Sequence, residues 1–247
     1  MRNSLNVFGQ ISIAALALVM VFPIAAAGEA ITLSPIKDNT LYQQASGNLS
    51  NGAGSHIFTG KNASGLVRRA LLAFPIADSI PAGATIDSVS LMLFMSRTRS
   101  GAQVNELHVV ISDWGEGASN ATGNEGAGAT SMLGDATWIH TFFSTSFWTN
   151  PGGDFSPAIS ASQTVGGIGS YTWTSTQMVT DVQTWLDNPS ANFGWIIVGN
   201  EASSTTSKRF DSRTNATLSQ RPVLFVRYSV SVPVEKETWG GIKAIYR

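Results

Sequence analysis

Alternating apolar and polar residues are the main pattern along the central part of the chain. From Val89 to Met95 every second residue is apolar, which is the period of a β-strand with one buried face. Other short strand-like runs lie at 31–36, 55–59, 67–76, 107–111, 194–198, 208–212 and 223–228. In the last run apolar residues occupy both alternating sets, which predicts a strand covered on both faces. Many short strands separated by Gly, Pro and Asn turns predict an all-β protein, a jelly-roll β-sandwich.

One segment has helical spacing instead. Met178, Val182 and Trp185 recur every three or four residues, Ser175 precedes the run, and Asn188-Pro189 follows it. A serine cap, an apolar stripe and a terminating proline predict one short amphipathic helix over 175–187. We expect its stripe, with Trp185, to close one end of the sandwich.

The long segment from Gly115 to Gly169 has no clear period. It is rich in Gly, Ser, Thr and Asn, and aromatic residues are scattered through it. A structureless stretch of this length is unusual inside a compact domain. We therefore expect the segment to fold onto the sheets and to contribute short strands, and loops of this kind commonly carry function.

The start of the chain has the features of a signal peptide. Arg2 supplies a positive charge, 11–24 is mostly apolar, and Ala25-Ala26-Ala27 gives a small-residue cleavage pattern. The apolar run is shorter than the about 20 residues of a spanning helix. We predict a signal peptide at 1–27 with cleavage after Ala27, and an extracellular protein, secreted or associated with the cell surface, with no membrane span after cleavage.

The composition narrows the function classes. Lysine and arginine number 15 against 16 acidic residues, so neither sign dominates and nucleic-acid binding is not expected. The chain contains no cysteine, which excludes thiol catalysis and disulfide bonds. The remaining about 220 residues are within the usual range of a single β-sandwich domain.

No catalytic motif stands out. The three histidines lie far apart, no Gly-x-Ser-x-Gly element occurs, and the glycine-rich stretch near 116–128 lacks the Lys-Ser or Lys-Thr of a phosphate-binding loop. The sequence therefore predicts a protein that is not an enzyme.

Calcium is the ion that the residues favour if a structural ion is bound. Calcium takes oxygen ligands in loops, and Asp38 and Asp211 would meet if the two ends of the domain are adjacent. The alternative, which the sequence favours, is that Asp38 and Asn39 only form a turn.

Several short motifs, in order, resemble the DNRLRE domains. The matching segments are 38–42, 50–52, 69–74, 80–86, 114–117, 134–138, 181–185, 192–195 and 208–213. The resemblance covers about residues 30 to 230, although Thr214 stands where the family usually has an acid. It implies a jelly-roll-like, non-catalytic module of bacterial or archaeal surface or secreted proteins. Some relatives are carbohydrate-binding modules for acidic polysaccharides such as alginate.

The end of the chain differs from the domain. Val232-Pro233-Val234 and the charges after it indicate a linker, so that 28–230 is the domain and 231–247 is the linker and tail. The final ten residues, 238–247, are similar to a short terminal motif of other secreted bacterial proteins with Trp-Gly-x-Ile-Lys-Ala-x-Tyr-Arg endings. Two interpretations stay open: a sorting or anchoring signal, and a terminus that packs against its own domain.

Two groups of side chains are candidates for ligand binding. Trp114, Trp138 and Trp148 lie in the long segment, where an aromatic face would stack on a sugar ring. Their alternative role is in a core or lid. Arg209 and Arg213 are spaced to share one strand face and would grip a uronate carboxylate bidentately. Their alternative role is to pair with nearby acids.

These residues favour a secreted or surface-exposed, non-catalytic module that binds polysaccharide or another extracellular matrix polymer. A second hypothesis is a structural or adhesive surface protein, or an assembly subunit, that binds other surface proteins. An exposed edge strand or a large apolar patch would favour it. A third, a polysaccharide lyase or hydrolase, needs converging acids or a Tyr/His/Arg cluster.

Overall fold

The computed structural model describes residues 28–230, so the predicted signal peptide and the predicted C-terminal tail lie outside the described residues. The described part contains fifteen strands, one α-helix and two short 3-10 helices at Pro189–Ala191 and Leu218–Gln220. The elements are β1 (Gly28–Leu33), β2 (Lys37–Tyr42), β3 (Leu49–Ser50), β4 (His56–Lys61), β5 (Val67–Ala73), β6 (Thr85–Thr98), β7 (Gln103–Val109), β8 (Ala129–Thr130), β9 (His140–Phe142), β10 (Ser146–Phe147), β11 (Ala161–Val165), β12 (Gly169–Thr174), α1 (Thr176–Asp187), β13 (Trp195–Val198), β14 (Lys208–Asp211) and β15 (Val223–Ser229).

Eleven of the strands form one curled antiparallel sheet, which confirms the prediction of an all-β sandwich. The front half contains β1, β15, β6, β12 and β14, with the long β6 at its centre. The back half contains β2, β5, β13, β7 and β11. The first strand pairs with the last: Gly28 lies opposite Ser229, and Leu33 lies opposite Leu224.

Strand β4 joins the two halves because it belongs to both. His56 to Thr59 pair with β14 of the front half, and Gly60 and Lys61 pair with β5 of the back half. Gly60 has φ +79°, and a Cβ atom there would lie 3.0 Å from the carbonyl oxygen of Thr206. Glycine suits this corner because it adopts positive φ without steric cost and lets the two backbones approach closely.

The main hydrophobic core lies between the two halves, where the alternating apolar residues of both meet. The predicted helix is confirmed: α1 is capped by Ser175, whose Oγ accepts the backbone N–H of Met178 at 3.0 Å. Trp185 on its apolar stripe is 1% exposed, and its ring centroid is 4.5 Å from that of Trp195. The helix therefore adds its stripe to the main core, as the sequence predicts.

A second hydrophobic core lies on the outer face of the back half. Leu71 and Ile196, which alternate with residues of the main core, point away from it, as does Leu41. The segment between β7 and β11 folds over them and brings Trp114 and Trp138 onto this face. This confirms that the long segment packs on the sheet and contributes short strands, β8 to β10.

The outer face of the front half is open. Strand β15 was predicted to be covered on both faces, and this is wrong: Leu224 and Val226 face the main core, whereas Phe225 is 39% exposed and Arg227 is exposed. The reason is that the long segment covers the back half, and the apolar Phe225 remains on an open face. Among residues 28–230, no helix has the length and apolar character needed to cross a membrane.

Candidate functional site

A pocket of about 240 Å³ lies on the open face of the front half, where β4, β14 and β6 run side by side. Its floor is a row of three residues. Arg209 of β14 lies directly opposite Phe58 of β4 on one side and opposite Arg97 of β6 on the other. We call this site the arginine pocket; its cationic lining residues are Lys61, Arg68, Arg97, Arg99 and Arg209.

A β-bulge places Arg97 on this face. Phe210 pairs with Met95, and the residue before it in β14, Arg209, pairs with Arg97. Ser96 is therefore an extra residue in β6. Met95 faces the core, and strict alternation would send Arg97 to the same side. The bulge reverses this and turns Arg97 outward beside Arg209.

Four turns of the chain surround the floor. They are the β4–β5 turn at 61–63, the β6–β7 turn at 98–99, the loop at 124–126, and the residues just before β14 at 205–207. The site is therefore a bounded pocket and not a groove that runs along the sheet.

Arg68 on the wall of the pocket is held by contacts within the protein. Its guanidinium carbon lies 4.7 Å from the ring centroid of Tyr42, and its Nη1 donates to the carbonyl oxygen of Val67 at 2.8 Å. The residue is 4% exposed, and burial lowers its pKa. Arg68 thus adds a buried, oriented positive charge behind the open part of the pocket.

The loop at 124–126 is fixed by a buried carboxylate. Glu125 has φ +60° and accepts hydrogen bonds from Asn51 Nδ2 and from the backbone N–H of His56, each at 2.9 Å. The ring nitrogen Nδ1 of His56 also lies 2.9 Å from this carboxylate. The neighbouring Asn124 accepts a hydrogen bond from Arg97 Nη1 at 2.8 Å. The hydrogen bonds to Glu125 therefore fix the loop at 124–126, and Asn124 of this loop orients Arg97.

A buried lysine fixes the opposite wall. Lys208 is fully buried, and its Nζ donates to the carbonyl oxygens of Ser100, Gly101 and Gly166 at 3.3, 2.7 and 3.0 Å. Burial lowers the pKa of Lys208, but three carbonyl acceptors replace the lost water. This bonding ties down the β6–β7 turn that carries Arg99.

The pocket has a strongly positive lining. Asp and Glu are not among its lining residues, and within residues 28–230 none of its five cations forms an ion pair with a carboxylate. Burial lowers the pKa of Arg209, and the charge of Arg97 lowers it further, while Asp211 and Glu125 oppose the shift. Like charges in register on neighbouring strands repel, so this row is destabilising without an anion.

Arg213, which the sequence paired with Arg209, lies outside the pocket. Its guanidinium makes a two-pronged ion pair with Glu116, and its backbone N–H donates to Asp38 Oδ2 at 2.6 Å. The hydrogen-bonded Glu116 carboxylate raises the pKa of Arg213. The predicted joint grip on a carboxylate is wrong because β14 ends at Asp211, so the two arginines do not continue one strand face.

Asp38 and Asp211, the predicted calcium ligands, belong to different polar groups. Asp38 is fully buried in β2, not in a turn, beside Glu116 and Arg213. Burial raises its pKa to about 7, although the hydrogen bond from Arg213 opposes the rise. Asp211 Oδ1 lies 3.5 Å from His56 Nε2. The part of the chain that the structure describes holds no group of three or more His, Asp or Glu suited to a metal, and structural calcium stays a prediction.

The three candidate tryptophans are packing residues. Trp114, Trp138 and Trp148 are 1%, 9% and 5% exposed in the second core. The indole nitrogens of Trp114 and Trp148 donate to the carbonyl oxygens of Phe193 and Thr137 at 2.8 and 2.9 Å. Rings covered in this way offer no face to a sugar, so the predicted stacking role is wrong for this structure and the alternative core role describes all three.

The sequence pointed to Arg209 but missed the rest of the pocket. The signal that was present is the Arg97-Thr98-Arg99 cluster at the end of the longest alternating strand. Alternation alone would assign Arg97 to the core side, where a charge is not tolerated. A charged residue at a position that alternation assigns to the core indicates a β-bulge, and here that residue, Arg97, faces the pocket.

No protein-family model and no curated protein matches this sequence. The resemblance to the DNRLRE domains therefore stays an expectation.

Proposed function

We propose that this chain is an exported, non-catalytic module that binds an acidic carbohydrate of the extracellular matrix, and that the arginine pocket is its ligand site. The observation that carries the proposal is the row of Arg97 and Arg209 on an open sheet face, with no carboxylate partner among the described residues. Similarity in motif order to surface and secreted modules agrees with it.

The chemistry of the lining suits an acidic sugar. Guanidinium groups donate in a planar fork that matches a carboxylate or another oxyanion. The aliphatic stems of the arginines give the pocket an apolar surface against which the C–H face of a sugar ring packs. Asn62 and Asn124 at the rim can bond to sugar hydroxyls.

The same lining supports binding in preference to catalysis. Hydrolysis or elimination of a sugar chain needs a group that accepts and returns a proton. The four arginines of the lining remain protonated at any physiological pH and cannot serve as that base, and Asp, Glu and His are not among the lining residues. The pocket supplies charge and hydrogen-bond donors, which hold a ligand.

A protein-binding role is the second candidate. The long segment exposes Leu133, which is 76% exposed, and Phe147, which is 65% exposed. Exposed apolar side chains of this size favour contact with another protein when they form a contiguous patch. A surface adhesin or assembly subunit would use this side of the molecule and leave the arginine pocket unused.

The test is a binding titration of the secreted protein against alginate, pectate and a neutral glucan. We expect binding to the acidic polymers that weakens with added salt, because contacts at an open surface are screened. The double variant Arg97→Gln/Arg209→Gln should lose at least about tenfold in affinity, since each 1.4 kcal/mol of lost contact is tenfold.

The matched control is Arg227→Gln, which removes an exposed arginine from β15 on the same sheet half. It should bind like the wild type. Equal affinity in the double variant, or binding only to the neutral glucan, would remove the arginine pocket from the proposal. Release of reducing ends or unsaturated sugars would show catalysis instead.

A further inference from the structure

The charge of the arginine pocket exceeds what one carboxylate can balance. Its lining carries five positive charges, from one lysine and four arginines. The carboxylates that act on Arg209 are Asp211 and Glu125, which are both nearly buried behind the wall. Among residues 28–230, neither carboxylate forms an ion pair with a cation of the pocket; both lie beside His56. A ligand unit with a single carboxylate would balance only one of the lining charges.

The in-register arginines define where the negative charge belongs. Side chains directly opposite on antiparallel strands start with Cβ atoms about 5 Å apart. Arg97 and Arg209 occupy such a pair, and Arg97 is steered by Asn124 while Arg209 donates its Nε to Ser96 Oγ at 3.1 Å. The two side chains start side by side on the outer face, so a multiply charged group bound between them would contact both guanidinium groups.

The size of the pocket limits how that charge can be spread. A volume of about 240 Å³ is below the roughly 300–1,000 Å³ of pockets that enclose drug-sized ligands. Residues of four turns also line the sides of this floor. We therefore expect the negative charges to sit on one small unit, such as a chain terminus or a side branch, that fits this volume.

We propose that the arginine pocket recognises a small saccharide unit that carries two or more negative charges. The charges come either from one phosphate monoester or from two acidic groups on a mono- or disaccharide. This inference rests on the proposed function, because it names the ligand class of the same site.

The experiment compares four small probes by isothermal titration with the secreted protein: glucose 6-phosphate, a disulfated disaccharide, glucuronate and inorganic phosphate. We expect at least one of the two doubly charged saccharides to bind about tenfold or more tightly than glucuronate. Preference for glucose 6-phosphate identifies a compact dianion, and preference for the disulfated disaccharide identifies two separated charges. Inorganic phosphate should bind more weakly than glucose 6-phosphate, because it has no sugar ring to pack on the arginine stems.

The variant Arg97→Gln tests whether the arginine pair causes the discrimination. We expect the ratio between the preferred probe and glucuronate to fall to about threefold or less, since one of the two forks is lost. Arg227→Gln should keep the wild-type ratio. An unchanged ratio in Arg97→Gln would overturn the assignment to this pair.

The outcomes separate this inference from the proposed function. If acidic polysaccharides bind while glucuronate equals the doubly charged probes, the charge requirement is wrong and the proposed function survives. Binding of polymers without binding of any small probe also overturns the inference, because the pocket would then recognise an extended polymer and not a small unit. Absence of binding to every saccharide would overturn both.

Discussion

The outer faces of the two sheet halves differ in whether the long segment covers them with aromatic side chains. The back half carries apolar residues such as Leu71 and Ile196 on its outer face, and the long segment covers them with aromatic side chains. The front half carries Arg97 and Arg209 on its outer face, and within residues 28–230 no aromatic layer covers them. Each outer face consists of every second residue of its strands. The two faces therefore differ in whether another segment of the described chain packs on them.

Two arginines make the contrast concrete. Arg69, on the covered face, donates Nε and Nη2 to Glu201 at 2.8 and 2.9 Å and Nη1 to the carbonyl oxygen of Gly152 at 2.8 Å, and it lies 5.2 Å from the Trp138 ring. Arg209, on the open face, has a hydrogen bond from Nε to Ser96. Arg69 makes three hydrogen bonds to its own chain, whereas Arg209 makes one among the described residues, so Arg209 has more donors available to a ligand.

The largest effect should come from the covered face. Trp114→Ala removes a side chain that is 1% exposed and leaves the carbonyl oxygen of Phe193 without its indole donor. We expect the free energy of unfolding in urea to fall by about 3–5 kcal/mol, as for other buried aromatic truncations. Phe147→Ala, at an exposed aromatic of the same segment, should change it by less than about 0.5 kcal/mol. A loss below about 1 kcal/mol in Trp114→Ala would mean that this tryptophan does not anchor the cover.

The next effect depends on pH and concerns Asp38. Burial raises its folded-state pKa to about 7, whereas the unfolded value is near 3.9. The folded protein therefore holds a proton that the unfolded chain releases, and the associated stability is present below about pH 4 and is lost as pH rises through 7. Asp38→Asn cannot ionise and should gain stability relative to the wild type between pH 4 and 8, on the order of a few kcal/mol. Thermal melts of both proteins across that range test it, and parallel curves would contradict the shifted pKa.

A smaller effect should separate Arg213 from the pocket. Arg213→Gln leaves the Glu116 carboxylate without its two-pronged partner, and the pair is only partly exposed. We expect a loss of about 1–3 kcal/mol in unfolding free energy, together with unchanged affinity for acidic saccharides in the folded protein. Loss of binding with unchanged stability would restore Arg213 as a ligand residue.

The smallest effect on stability should come from the open face. Arg209→Gln removes one of two repelling charges and a single side-chain hydrogen bond, so the unfolding free energy should change by less than about 0.5 kcal/mol. Affinity for the ligand should nevertheless fall about tenfold or more. If Arg209→Gln instead destabilised the protein as much as Arg213→Gln does, the two arginines would have the same structural role.

The sequence predicted those features that depend on local spacing. The alternation around Val89 to Met95 and the stripe of Met178, Val182 and Trp185 each require only neighbours along the chain, and both predictions are confirmed. Partners distant in sequence were not predictable in the same way, because nothing local indicates that Arg213 meets Glu116, 97 residues earlier.

The candidate site was harder to predict from the sequence than the strands and the helix. Sequence alone identifies a tryptophan but not whether another layer covers it, and the three tryptophans became ligand candidates for that reason. The bulge at Ser96 depends on how β6 and β14 pair, so the face of Arg97 could not be read from β6 alone. Arg209 was predicted as a ligand residue, but the partner beside it was not.

The pairing of the first strand with the last has a consequence for how the molecule forms. Gly28 and Ser229 are partners across about 200 residues of chain, and most pairings of β6 also join distant segments. Contacts of such long range are slow to form, because the entropy of closing the intervening loop is lost before the contact is made. During synthesis β1 has no place in the sheet until β15 has been made. The domain should therefore remain incompletely folded until β15 has been made, and its sheet should be completed late, when β1 pairs with β15.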